Sequence, residues 1–270
     1  MHNTYCLKVK EVQPGYVAGV LVYFIVELGG VKIHMSEREL SQLFEDAPLR
    51  ELVLPFAQKT VSLLVLKDAC ALHSEIDPGC DVYWGELWPA AVALADAIFA
   101  GAIPIPPDAG PVLEVGCGTG LVSIALALRG ANVVASDREY RALRLTEENA
   151  RRNGVAEKVS TTRIDWKERT GRRHALIIAG DCLYQADACW QLAAFLRDSL
   201  DGAAARAYVV DPDRWSARNF GFQAQEAGLR VSTFRRTVPF VREDGPVRGI
   251  LKEDSAQAIE ATFYELMLAE

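Results

Sequence analysis

One nonapeptide constrains this chain more than any other part of it: Val112-Leu113-Glu114-Val115-Gly116-Cys117-Gly118-Thr119-Gly120, followed at once by the apolar segment 121–129. The pattern predicts a buried strand, a tight turn and a helix. In an open α/β sheet, ligands sit in the crevice beyond the carboxyl ends of the strands. Glycines there let the backbone approach a ligand closely. The spacing separates two ligand classes. A dinucleotide fingerprint, G-x-G-x-x-G, needs its third glycine where this chain has Leu121. Glu114, two residues before the first glycine, would repel a diphosphate and attract an ammonium or a sulfonium. The E-x-G-x-G-x-G turn therefore points to S-adenosylmethionine rather than to a nicotinamide dinucleotide.

The surrounding pattern predicts the sheet that presents such a turn. From about residue 80, apolar strands alternate with amphipathic helices, which implies βαβ units and a mainly parallel sheet. A helix is expected over 89–99, with Pro89 suited to its first turn. The loop 101–111, with four prolines, ends it. Strands are expected over 112–115, 132–136, 158–164, 175–179 and 206–210, and helices over 139–153, 188–199 and 215–227. Gly154 is placed to stop the first of these helices. The C-terminal part changes character: 229–241 and 258–268 both read as strands with no helix between them. They predict an antiparallel hairpin on the sheet edge. The fold class is α/β, a Rossmann-like, seven-stranded, mostly parallel sheet with an antiparallel C-terminal hairpin.

Residues 1–75 read differently, as a small N-terminal α/β extension of unreadable role preceding a domain over 76–270. Residues 17–27 and 31–34 flank Gly29-Gly30 and predict a β-hairpin. Ser36 and Glu39 have capping-box spacing and predict a helix start. Residues 59–67 return to a strand pattern.

Four expected strand ends carry acids: Glu114, Asp137, Asp165 and Asp181. Such ends converge on the crevice of a parallel sheet. Any one could be a turn or cap residue, but four on one rim are harder to explain in that way. Asp137 lies just over 20 residues past the glycine turn, the spacing at which an acid accepts hydrogen bonds from ribose hydroxyls.

Together with motif I around Gly116, Gly118 and Gly120, three further segments carry a resemblance. They are Val82-Tyr83-Trp84-Gly85-Glu86-Leu87-Trp88-Pro89, Asp165-Trp166, and Gly180-Asp181-Cys182-Leu183-Tyr184. Over about residues 80–230 the chain resembles the class I (seven-strand) S-adenosylmethionine-dependent methyltransferases. Within them it is similar to the methyltransferase-like protein-lysine methyltransferase subgroup. The resemblance implies that Trp84 or Trp88 lines the cofactor pocket, although the pair also suits a plain hydrophobic anchor. It implies that Asp165 and Trp166 frame the adenine, Trp166 otherwise being a partly buried core aromatic. It also implies that Asp181 and Tyr184, a [DE]-x-x-[YF] motif, stand beside the transferred methyl group. The motif has no proline, unlike the N/D-P-P-Y/F of adenine and glutamine N-methyltransferases. The segment 209–214, Val-Val-Asp-Pro-Asp-Arg, is similar to the family's fifth-strand region.

The expected activity is N-methylation of a lysine side chain in a protein substrate. A small-molecule amine or heteroaromatic acceptor is the alternative, and a non-catalytic binding module a distant third. Asp181 is expected to orient the amine and Tyr184 to wall its pocket. A net charge of −7 argues against non-specific nucleic-acid binding. The arginine-rich stretches 138–152 and 163–173 read as solvated surface. Six cysteines without a C-x-x-C spacing suggest a reducing compartment and no structural zinc. Cys117 and Cys182 read as packing residues. No signal peptide is visible, and the most apolar run, 16–28, is too short to span a bilayer. The expected setting is cytoplasmic, without a membrane partner.

Overall fold

The structure is a computed structural model that describes residues 7–11, 23–28, 31–36, 49–57, 59–67, 83–107, 110–168, 170–239 and 258–269. The chain divides into two bodies, residues 1–50 with 66–83, and residues 51–65 with 84–270.

In the first body, β1 (Leu7–Glu11), β2 (Tyr23–Leu28) and β3 (Val31–Ser36) form an antiparallel sheet in that order. Leu28 pairs with Val31, so the two strands of the expected hairpin are paired, and Gly29 and Gly30 lie outside the described residues. Ser36 closes β3, and the helix expected to start there lies outside the described residues.

The second body is built on seven strands: β6 (Val112–Val115), β7 (Val133–Asp137), β8 (Val159–Arg163), β9 (Leu176–Gly180), β10 (Arg206–Asp211), β11 (Leu229–Pro239) and β12 (Ala258–Leu268). Their order is β11-β12-β10-β9-β6-β7-β8. β6 through β10 are mutually parallel, and β12 runs against both β10 and β11. The terminal hairpin stands at the edge of the sheet, as expected, with β12 paired on both sides and β11 outermost. After β8 the chain returns past β6 to start β9. The order therefore reverses between β6 and β9, and that is where a parallel sheet opens a crevice.

Strand residues alternate between two cores, as the two-residue period of a strand requires. Leu176 and Ile178 of β9 join Val112 and Val210 in a cluster with α1 (Pro89–Phe99) and α2 (Leu121–Leu128). Ile177 and Ala179 join Leu113 and Val209 in a cluster with α4 (Ala186–Ser199) and α5 (Phe220–Glu226). The remaining described helix, α3 (Tyr140–Arg152), packs beside α2, and its Ala150 belongs to the first cluster. Its outer face is charged and laced by Arg144–Glu147 and Arg152–Glu148 pairs, 3.0 and 3.1 Å long. That is the solvated surface expected of this arginine-rich stretch.

The helix expected over 215–227 begins as a 3-10 turn, Trp215–Asn219, before α5. Three bonds hold this segment. Asp211 Oδ1 takes the Arg214 N–H at 2.7 Å, the Ser216 hydroxyl donates to the Leu183 carbonyl at 2.5 Å, and the Ser216 carbonyl accepts from Cys189 Sγ at 3.7 Å.

Two more strands, β4 (Leu49–Phe56) and β5 (Lys59–Leu66), pair with each other. Val61, Leu63 and Val65 of β5 are buried in the first core, while the backbone of Ser62 and Leu64 faces α3. No described helix is long and apolar enough to cross a membrane.

Candidate active site

The crevice between β6 and β9 is walled by the glycine turn. Cys117 donates its N–H to the Ser136 carbonyl at 2.9 Å, and Gly120 donates to the Cys117 carbonyl at 2.7 Å, which closes the turn against β7. Gly116 and Gly120 have φ of +71° and +82°, a conformation that side chains resist. Space is short as well. A Cβ on Gly116 would stand 2.8 Å from Cys182 Sγ and 3.7 Å from the Trp166 ring, and one on Gly120 would stand 2.8 Å from Thr146 Oγ1 and 3.0 Å from its Cα. At Gly118 the close neighbour is the backbone carbonyl of Trp84, 3.1 Å from where a Cβ would be. Gly120 is also the N-cap of α2 and offers no side chain to its first N–H groups.

Acids surround this turn. Asp137, at the end of β7, accepts the Gly118 N–H at 3.1 Å and the Glu139 N–H at 3.0 Å. Burial pushes its carboxyl above the ordinary aspartate value. Each of its oxygens keeps a lone pair for a further donor. Glu114 lies within β6, buried, and accepts from the Ser123 hydroxyl of α2. Burial pushes its carboxyl up to about 8, against the Ser123 hydrogen bond, so it holds a proton at neutral pH. Trp166 packs over the turn with its indole Nε1 buried and without a hydrogen-bond partner among the described residues. Asp165 caps its own local turn, its Oδ1 accepting the Lys167 N–H at 3.0 Å.

A second cluster stands one strand away. Asp181 follows β9 directly, in a left-handed conformation with φ of +58°. Its N–H donates to the Val210 carbonyl of β10 at 3.1 Å. Its Oδ2 accepts the Ala90 N–H in the first turn of α1 at 2.6 Å, so a carboxylate sits at a helix N-terminus. Its Oδ1 pairs with Arg214. The Arg214 guanidinium also bonds Asp211 Oδ2 at 2.9 Å and lies 5.6 Å from the centre of the Trp88 ring. Burial raises Asp181 to about 6, with Arg214 pulling against that rise. Burial lowers Arg214, but Asp181 and then Asp211 outweigh it and hold the guanidinium charged. Tyr184 is partly exposed on the loop from β9 to α4.

Cys182 links the two clusters. Its buried thiol touches Gly116 and donates to the Val115 carbonyl at 3.4 Å. Burial raises both Cys117 and Cys182 well above the ordinary thiol value, so both are packing residues rather than nucleophiles. His174 lies before β9, its Nδ1 3.3 Å from the Pro111 carbonyl, at the rim opposite the crevice.

The residues that could hold an adenosyl ligand with a cationic end are thus gathered at one place: the glycine cradle, Trp84, Glu114, Asp137 and Trp166. Trp88 and Asp181 meet through Arg214. Sequence reasoning noticed Arg214 only as part of a segment and did not connect it with Asp181. The signal available was its place three residues after Asp211, an acid on the strand next to β9. Among the described residues no cluster of His, Cys, Asp and Glu could hold a metal ion.

Comparison with known proteins places the chain among relatives. Residues 74–220 match the model of the lysine methyltransferase family. The chain is similar to the electron transfer flavoprotein beta subunit lysine methyltransferase of Xenopus laevis, 29% identical over 144 residues, which is 52% of this chain and 56% of that protein. It is also similar to the ribosomal protein L11 methyltransferase of a Geobacter species, 50% identical over 58 residues, 20% of this chain and 19% of that one. The chain thus spans from about a fifth to just over half the length of these curated relatives. Among solved structures it is similar to ribosomal protein L11 methylase from Lactobacillus delbrueckii subsp. bulgaricus, with a TM-score of 0.48 and 18% identity over 67% of this chain and 79% of that one. The family model covers more than half of the 270 residues, and the chain belongs to the lysine methyltransferase family, a family of S-adenosylmethionine-dependent methyltransferases.

Proposed function

We propose that the protein transfers a methyl group from S-adenosylmethionine to the side-chain nitrogen of a lysine in a protein substrate. The observation that carries this reading is the Asp181–Arg214 pair. It is fixed at the end of β9 by the Ala90 N–H, one strand from the glycine cradle and against Trp88. Two relatives, an electron transfer flavoprotein beta subunit lysine methyltransferase and a ribosomal protein L11 methyltransferase, support a protein substrate.

The cofactor supplies an electrophilic methyl on a sulfonium, and the acceptor nitrogen displaces the sulfur in line. The residues of this chain then have only to position and desolvate. Asp137 would accept from the ribose hydroxyls, Trp166 and Asp165 would frame the adenine, and Trp84, whose carbonyl lies against Gly118, would line the pocket. Glu114 would meet the cationic end and would give up its proton to that charge.

A lysine must be neutral to attack. With a reference pKa of about 10.4, neutralising it at pH 7 costs about 4.6 kcal/mol. Trp88 and Tyr184 lower that cost by replacing water with aromatic surface. Asp181 orients the amine through its remaining lone pairs. Because Arg214 neutralises much of its charge, it attracts the ammonium form less than a lone carboxylate would.

The test is incubation of the purified protein with radiolabelled S-adenosylmethionine and a lysate of its host, resolved by gel. The reading expects a discrete labelled protein band that yields methyl-lysine on hydrolysis and is lost in Asp181→Ala. Label confined to the low-molecular-weight fraction would replace it with the small-molecule alternative.

A further inference from the structure

Two asparagines on α3 do what a neighbouring strand would do for β5. A strand edge presents N–H and C=O groups from alternate residues, and these need partners. Asn153 Oδ1 accepts the Ser62 N–H at 3.0 Å, and its Nδ2 donates to the Ser62 carbonyl at 2.6 Å. One helical turn earlier, Asn149 repeats the pattern on Leu64, at 2.7 and 2.9 Å. Four residues along a helix and two along a strand cover similar lengths, so the two amides match the two backbone sites.

Asn149 differs from Asn153 in two respects. It is fully buried, and its Nδ2 also donates to the carbonyl of Thr119, inside the glycine turn, at 2.8 Å. Thr146, on the same face of α3, donates to the preceding carbonyl, that of Gly118, at 3.2 Å. Successive peptide planes of the turn are therefore set by α3. In a trans peptide the N–H points away from the C=O. Holding the Thr119 carbonyl toward α3 aims the Gly120 N–H at the Cys117 carbonyl, the bond that closes the turn. Holding the Gly118 carbonyl aims the Thr119 N–H away from α3.

We propose that Asn149 is a positioning residue of the cofactor site, which fixes the Thr119–Gly120 peptide and makes the β4–β5 hairpin a working part of that site. The inference rests on reading the turn as the binder of S-adenosylmethionine. It assigns β4 and β5 a role that the sequence left blank: they hold the Asn149 amide in the orientation that the turn needs.

Asn153 provides the control. Asn149→Ala and Asn153→Ala each remove two bonds to β5, but only the first releases the turn. Both full-length variants are to be compared with wild type by thermal melting and by calorimetric titration with S-adenosylmethionine. The expected result is a similar loss of melting temperature in both. The dissociation constant rises about tenfold or more in Asn149→Ala, as loss of a buried hydrogen bond allows, and stays near wild type in Asn153→Ala. Equal weakening in both variants, or none in Asn149→Ala, overturns the proposal. Absence of binding by wild type overturns the reading of the turn on which it rests.

If Asn149→Ala does not fold, hydrogen exchange on the wild type serves instead, because coupling between sites is reciprocal. Addition of S-adenosylmethionine is then expected to slow exchange at the Ser62 and Leu64 amides more than in the β11–β12 hairpin. No greater slowing in β5 than in that hairpin overturns the proposal.

Discussion

Two carboxyl groups carry most of the site's electrostatics, and each makes a separate prediction. Glu114 has its pKa raised by burial from the ordinary 4.5 to about 8. Between those values the folded protein binds more protons than the unfolded chain, so this group makes stability fall as pH rises from about 4.5 to about 8. Glu114→Gln is expected to remove that slope, which denaturation midpoints measured across the range would register. The same substitution is expected to weaken S-adenosylmethionine by about ten- to a hundredfold, the scale of one charge-assisted hydrogen bond. Calorimetry in buffers of different ionisation enthalpy should find proton release on binding at pH 7 in wild type and none in the variant. Asp181 behaves differently because it has a partner. Its carboxyl is raised by burial to about 6 and would stand higher without Arg214. Arg214→Met is therefore expected to move the acid limb of the pH–rate profile upward by about one unit or more. An unmoved limb would mean that Asp181 is not the group whose ionisation the reaction needs.

At the scale of elements, the glycine turn and the strands beside it were legible in the sequence because their constraints are local. Gly120 must be glycine: its φ is +82° and the backbone of Thr146 leaves no room for a Cβ. Gly120→Ala is expected to cost about 1–3 kcal/mol in a urea unfolding experiment, the range for a non-glycine residue held in the left-handed region. It should weaken cofactor binding as well, since the α2 N-terminus moves with it. What the sequence hid depends on pairing over distance. Arg214 meets Asp181 only because β9 and β10 lie side by side, and nothing within either segment announces the other. Asn149 and Asn153 read as two more polar residues on a charged helix, yet one is fully buried and both grip β5. β4 escaped notice because Pro55 interrupts its alternation. The structure places that proline at an exposed position, beside buried Leu54, in a strand that pairs only with β5, the edge setting in which proline is tolerated.

At the scale of the whole molecule, the sheet order accounts for why the site lies where it does. β6 is the first strand of the parallel sheet and stands in its middle, so the chain must cross it to build the second half. That crossing opens the crevice and brings the ends of β6, β7 and β9 onto one rim. The terminal hairpin completes the sheet at its edge, and Arg236 of β11 reaches Asp96 of α1 at 3.0 Å, tying the last strands to the helix whose first turn Asp181 caps. The account stands or falls on whether this crevice is the cofactor site. The measurement that tests it most directly is a calorimetric titration of S-adenosylmethionine into wild type and into Asp137→Ala, with folding of both checked by circular dichroism. We expect one site per chain in wild type and a loss of about tenfold or more in the variant, since two ribose hydroxyls lose their acceptor. Equal affinity in the two folded proteins would contradict the account.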